Sequence, residues 1–295
     1  MRVRSGKAAR TGFLLTCIVP SLAIYIALLV VPFLQTIQLS LYRFSGVSSK
    51  KQFVGFANFQ KLWIEEPFWW ALRNSVVLLF VVAPVIIILS LLLAHASTGE
   101  SRRAKILRAV YLIPNIISVV AVAGIWRAVY FPNQGLLAGL GFSGPGEGFL
   151  GSTKLAFLCF SIAYIWVSLG FYTMLFSAAL KSIPSEITEA ANLEGVSAWQ
   201  MFKCISWPMM WSVRRMAVVH LAISAMSVFA LVNVMTVGGP SNRTQTMLNY
   251  LYELQFQQGE SGLASAVGVV NVLLMVIVSM TIWTAFRKNP QESAR

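Results

Sequence analysis

A chain of 295 residues with 57% hydrophobic and 11% charged side chains departs from ordinary soluble domains, which carry roughly 45–50% and about 25%. That excess of apolar surface needs lipid, and with only three cysteines it excludes disorder and a disulfide scaffold. The net charge of +13, from 23 basic residues and 10 acids that are all glutamate, marks the cytoplasmic face of a membrane protein rather than nucleic-acid binding.

A hydrocarbon core about 30 Å thick takes about 20 apolar helical residues. Six stretches free of aspartate, glutamate, lysine and arginine meet that length: Phe13 to Leu34, Asn74 to Leu93, Ala109 to Trp126, Leu155 to Leu180, Met216 to Val237 and Leu263 to Phe286. They predict an all-α, polytopic chain forming a single transmembrane domain over residues 1–295, with no need for the alternating pattern of barrel strands. The first stretch follows a basic arm (Arg2, Arg4, Lys7, Arg10). It is longer than a cleavable signal core and lacks a clear small-residue cleavage site, so it is expected to be retained. Six spans put both termini on one side. The segments on that side hold 15 basic residues and the opposite ones 8, so the positive-inside bias makes the termini cytoplasmic.

The outer loops expected from this topology, Phe44 to Leu72, Pro132 to Lys154 and Gly238 to Gly262, are short. Gly135 to Gly151 is glycine-rich but lacks the Gly-Lys-Ser/Thr end of a phosphate loop, and its glycines read as flexibility. The inner loop from Lys181 to Arg215 differs, because residues 184–208 carry a helical pattern of their own. Pro184 suits a first helical turn, with Glu186 and Glu189 near the positive end of the helix dipole. Gly195 suits a left-handed stop. Ser197 and Gln200 have capping-box spacing ahead of a second helix toward Ile205 and Pro208. The pattern predicts a two-helix elbow whose Ala190 and Ala191 leave a low surface for another backbone.

Glu189-Ala190-Ala191, then Gly195 after three intervening residues, then Ile205 and Pro208, resembles the EAA signature of ABC importer membrane subunits. Further stretches are similar to the carbohydrate-uptake permeases of the maltose and glycerol-phosphate type. These are Pro20 to Tyr42, Phe53-Val-Gly55-Phe-Ala-Asn58-Phe59, Leu112-Ile-Pro114 and Thr236-Val-Gly238-Gly239-Pro240. The resemblance implies a type I importer transmembrane domain in the cell (inner) membrane. Its elbow would be the coupling helix, seated in a cleft of a separate ATPase dimer through Glu189, Ala190, Ala191, Glu194 and Gly195. It also implies a second permease, probably a different chain, and an external solute-binding protein. This chain would bind no cofactor, ATP and Mg being held by the partner ATPase. Two positions depart from the pattern, Glu194 for the usual Asp and Trp207 for the usual Leu.

No carboxylate falls inside a span, which disfavours ion-coupled transport, and no ATP-binding motif is present. The polar residues within spans are uncharged: Asn115, Ser118, Tyr164, Ser168, Tyr172, Thr173, Ser224, Ser227, Asn233 and Asn271. Hydroxyls, amides and rings suit a neutral polyhydroxylated solute, and Tyr164, Ser168 and Tyr172 share one helix face. The resemblance adds Phe171 and Val228 to this path. The alternative is helix-to-helix hydrogen bonding, which Ser, Thr and Asn commonly make in lipid. His220 reads as a packing or hydrogen-bonding residue, and Cys17, Cys159, Cys204 and His95 show no metal or disulfide spacing. The expected function is a non-catalytic permease subunit of an ATP-driven importer for a sugar or related polyol, with no nucleic-acid partner. The rivals are a membrane-embedded lipid or glycosyl transferase, disfavoured by the lack of aspartate, and an ion-coupled secondary carrier.

Overall fold

The computed structural model describes residues 4–46, 51–97, 99, 101–142 and 144–287. Arg2, together with Lys50, Glu100, Lys288, Glu292 and Arg295 from the charge counts above, lies outside the described residues. Among the described residues, four helices are long and apolar enough to cross a membrane: Leu15–Ser40, Glu66–Ala96, Ala156–Lys181 and Ser261–Ala285. A fifth arises if Arg102–Ile116 and Val119–Val129, bent by 107° at their junction, count as one broken span.

Two expected spans are therefore not continuous helices. The 109–126 stretch breaks at Ile117 and Ser118, which are extended just after Pro114 in the last turn of the preceding helix. The 216–237 stretch breaks between Trp211–Met226 and Ala230–Met235. Apolar composition marks membrane depth, but it does not register such interruptions. The carbonyls freed at the second break are covered locally: Thr246 Oγ1 donates to Val228 O at 2.8 Å and Asn271 Nδ2 to Met226 O at 3.4 Å. Buried backbone acceptors require such partners.

Prolines shape the helices more gently elsewhere. Wide π turns at Ile26–Val30, Leu78–Val82 and Met201–Ser206 each end two residues before a proline, at Pro32, Pro84 and Pro208. A proline lacks an N–H and its ring crowds the carbonyl of the preceding turn. Widening that turn relieves the clash without ending the helix.

The contacts divide the chain into two units, Met1–Ile64 with Glu253–Val269, and Glu65–Tyr252 with Val270–Arg295. In the first, the apolar Leu15–Ser40 helix leaves none of its most hydropathic window buried and leads into a two-stranded pairing of Tyr42–Arg43 with Gln52–Phe53. Asn58 closes the helix end, its Nδ2 donating to Ser40 O at 2.7 Å and Tyr42 O at 3.0 Å. Lys61 and Glu260 pair at 2.6 Å.

The second unit holds the largest core. Ala156–Lys181 packs there against Glu66–Ala96 and Arg102–Ile116, burying Leu78, Ile86, Phe160, Ala163 and Phe176. Gly170 permits the second approach, because a Cβ there would collide with the Asn115 amide and the Tyr111 carbonyl.

Candidate functional site

The elbow forms as its sequence dictates. Pro184 caps the Ser185–Leu193 helix with Glu186 in its first turn. Gly195 (φ +74°) ends it. Val196 N–H donates to Ala191 O and Gly195 N–H to Asn192 O, both at 3.1 Å, which is a Schellman closure. Ser197 then opens the next helix with a reciprocal box, the Gln200 N–H donating to Ser197 Oγ at 3.3 Å and the Ser197 N–H to Gln200 Oε1 at 2.9 Å. The backbone N–H groups of Gly195, Val196, Ser197 and Gln200 at the turn are thus all bonded within the elbow.

What the elbow presents is specific. Glu189, Ala190, Glu194 and Gly195 are exposed, and Leu193 and Trp199 stand 90% and 69% accessible. Ala191, expected beside Ala190 on the open surface, is instead 7% exposed and turned inward. The i to i+1 step of about 100° carries it off the face that Ala190 occupies. Glu189 makes no ion pair among the described residues, so its carboxylate is available for a charge-assisted contact.

The second limb is tied to the following helix by aromatic rings. Trp199, Phe202 and Trp207 form a chain of ring contacts at 5.9 and 5.7 Å. The guanidinium of the buried Arg214 sits 4.0 Å from the Trp207 ring centroid. A desolvated cation over an indole face is held by the ring quadrupole. Trp207, a departure from the expected leucine, thus has a structural reason. The seven-residue spacing of Trp207 and Arg214, two helical turns, was the signal that could have revealed it.

The path candidates divide by burial. Tyr164, Tyr172 and Val228 are buried in the core. Asn115, Ser118 and Phe171 are exposed, and Ser168, Ser224, Ser227 and Asn233 are half-buried. Tyr164, Ser168 and Tyr172 do not form one open face, because two of the three pack inward. The structure brings together Phe171, Tyr172 and His220: the Tyr172 hydroxyl meets His220 Nδ1 at 2.9 Å, and the Phe171 ring lies 5.1 Å from the imidazole. His220 is thereby a hydrogen-bonding residue, as its position suggested. Ser118, Ser227 and Val228 fall on the two helix breaks. Asn233 Nδ2 donates to Asn249 Oδ1 at 3.1 Å.

Asn249 belongs to a buried polar block that sequence reading missed. Asn74 Nδ2 donates to Arg243 O at 2.9 Å and Gln245 O at 2.8 Å. Thr236 and Thr244 share a hydroxyl contact at 2.7 Å, and Asn249 bonds Gln245 Oε1. Tyr250 donates to Glu65. Gly238 (φ +84°) admits the Gln245 amide where a Cβ would strike it. The Thr-Val-Gly-Gly-Pro run thus builds a turn tied by Thr244, and the segment that follows it is fastened by Asn74. Among the described residues, no group of three or more His, Cys, Asp or Glu side chains could hold a metal.

Residues 74–289 match the family of binding-protein-dependent transport system inner membrane components. The chain is 31% identical to the diacetylchitobiose uptake system permease protein NgcF of Streptomyces coelicolor, over 94% of this chain and 83% of that one. It is 30% identical to the trehalose/maltose transport system permease protein MalF of Thermococcus litoralis, over 94% and 92%, and to the lactose transport system permease protein LacF of Rhizobium radiobacter, over 92% and 93%. In fold, it superposes on a chain of a bacterial ABC transporter that imports the acidic polysaccharide alginate. The TM-score is 0.78 at 22% identity, covering 96% and 98% of the two chains.

Proposed function

The chain belongs to the binding-protein-dependent transport system inner membrane components, and from that membership we propose that its cargo is a sugar or related polyol. It is a multi-pass membrane protein, a permease subunit of an ATP-driven ABC importer and not itself an enzyme. The names of three relatives, which take up diacetylchitobiose, trehalose or maltose, and lactose, support the cargo class.

Residues 184–208 serve as the coupling elbow. The observation that carries this reading is an elbow satisfied within itself yet exposing Glu189, Ala190, Leu193 and Trp199, a surface suited to a protein cleft. Glu189 would accept a charge-assisted hydrogen bond from a basic group of the ATPase, while Ala190 allows close approach. Glu194 and Gly195 form the turn, and Ala191 holds it from within. Motion of the ATPase dimer, which binds ATP and Mg, passes through Trp207 and Arg214 to the next helix. The termini and elbow lie in the cytoplasm of a six-span topology in the inner membrane, with the helix pairs at Arg102–Val129 and Trp211–Met235 as two broken spans. A second permease, a different chain, completes the path, and an external solute-binding protein delivers the cargo.

The path runs along Asn115, Ser118, Ser168, Phe171, Ser224, Ser227 and Asn233. Breaks at membrane depth are tolerated where they line a cavity or are buried in protein, which supports Ser118, Ser227 and Val228 as members. Tyr164 and Tyr172 serve the path from behind, Tyr172 by orienting His220.

Purification of a tagged chain from native membranes, followed by reconstitution with its co-purifying partners, tests the reading. An ATPase and a second permease are expected in the complex, with sugar uptake that requires ATP and survives a protonophore. Uptake abolished by the protonophore but indifferent to ATP would overturn it.

A further inference from the structure

Beside the transport machinery, a furrow of about 580 Å³ opens between the Glu66–Ala96 and Ala156–Lys181 helices. Its walls are apolar, with Val81, Leu158 and Ile162 well exposed. The wall from Val77 to Val85 rises about 12 Å at 1.5 Å per residue, close to the depth of one leaflet of a hydrocarbon core about 30 Å thick. At one end the furrow is ringed by Arg73, Arg243 and Lys154, and no carboxylate lines it.

The two guanidiniums share one ring, with Arg243 3.9 Å and Arg73 4.9 Å from the Trp70 centroid. The indole N–H is engaged by Glu66 at 3.0 Å, but neither arginine forms an ion pair among the described residues. The Arg243 Nε is buried without a hydrogen-bond partner, while its carbonyl is tied to Asn74. Two like charges gathered on one ring beside a third, at the end of an apolar groove, find no counter-anion in the furrow lining.

We propose that this furrow binds an anionic phospholipid, its phosphate held by Arg73, Arg243 and Lys154 and its acyl chain laid along Val81, Leu158 and Ile162. Charge complementarity selects an anion, and the apolar wall selects one carrying a tail. The site needs only that the chain sits in a bilayer and is independent of the cargo, so its failure leaves the transport reading intact.

Native mass spectrometry of the intact complex, extracted from nanodiscs of mixed phosphatidylglycerol and phosphatidylcholine, tests it. The wild type is expected to retain phosphatidylglycerol preferentially. Arg73→Gln and Lys154→Gln, both at exposed positions, should each weaken retention about fivefold, as expected from about 1 kcal/mol per surface cation. Lys51→Gln, at a lysine that stands over the Phe44 ring and is not part of the furrow lining, should not. Equal retention of the two lipids, or displacement of phosphatidylglycerol by inorganic phosphate alone, overturns the proposal. A photo-cross-linker at Leu158 supplies a readout that does not depend on removing charge. A phospholipid adduct supports the site, and an adduct with the second permease instead shows that a helix fills the furrow.

Discussion

The elbow at 184–208 and the polar block around Thr236–Tyr250 solve opposite problems. The elbow is exposed and closed by contacts no more than five residues apart, so it keeps its shape while leaving its surface for a partner. The block is buried along Thr244–Met247 and at Asn249 and Tyr250, and it is fastened by bonds between residues some 170 positions apart, such as Asn74 with Gln245. A part that must be gripped from outside can be built locally and cheaply. A part that covers broken helices in an apolar setting must satisfy most of its polar groups, Arg243 Nε being left over, because an unmet one costs about 1–3 kcal/mol.

That contrast predicts different failures. Gly195→Val should have the largest effect. A β-branched residue resists φ +74°, so the turn is re-aimed, and ATP-dependent uptake in vesicles should fall more than tenfold while the folded chain persists in the membrane. Retained uptake would show that the turn's geometry is dispensable. Asn74→Leu should do the reverse, leaving two buried carbonyls without a donor and lowering stability by about 2–4 kcal/mol. A thermal-unfolding series in lipid nanodiscs reads this, and a midpoint unchanged from wild type would remove the block's structural role.

The elbow was legible because its determinants are local: Pro184, Gly195 and the Ser197–Gln200 spacing each specify a backbone state by themselves. The long apolar helices were legible from composition, four of them long enough to cross a membrane among the described residues, but the breaks at Ser118 and Ser227 were not, since nothing apolar distinguishes a broken span from a whole one. The block was illegible for a further reason. Asn74, Gln245 and Asn249 are ordinary amides in sequence and acquire meaning only when remote segments meet. Burial also separated residues that periodicity had grouped, with Tyr164 and Tyr172 turning inward while Ser168 stayed half-buried.

Smaller changes sharpen the same comparison. Ser197→Ala removes one limb of the capping box and should cost about 1 kcal/mol, visible as faster backbone amide exchange over 198–206 without loss of the rest of the fold. Uniform exchange would mean that the box contributes nothing. Tyr172→Phe removes the hydroxyl at His220 and should lower stability by about 0.5–1.5 kcal/mol. It should also move the His220 ring signals in an NMR spectrum at fixed pH, and unaltered imidazole signals would exclude that contact.

The most direct measurement is a cross-link from the elbow itself. With a cysteine at Ala190 and a short bifunctional reagent in native membranes, the predicted product is a conjugate with a nucleotide-hydrolysing polypeptide, whose yield changes on adding ATP. Conjugates with lipid and bystander proteins only, from a chain that still supports uptake, would contradict the elbow's role as the point of grip.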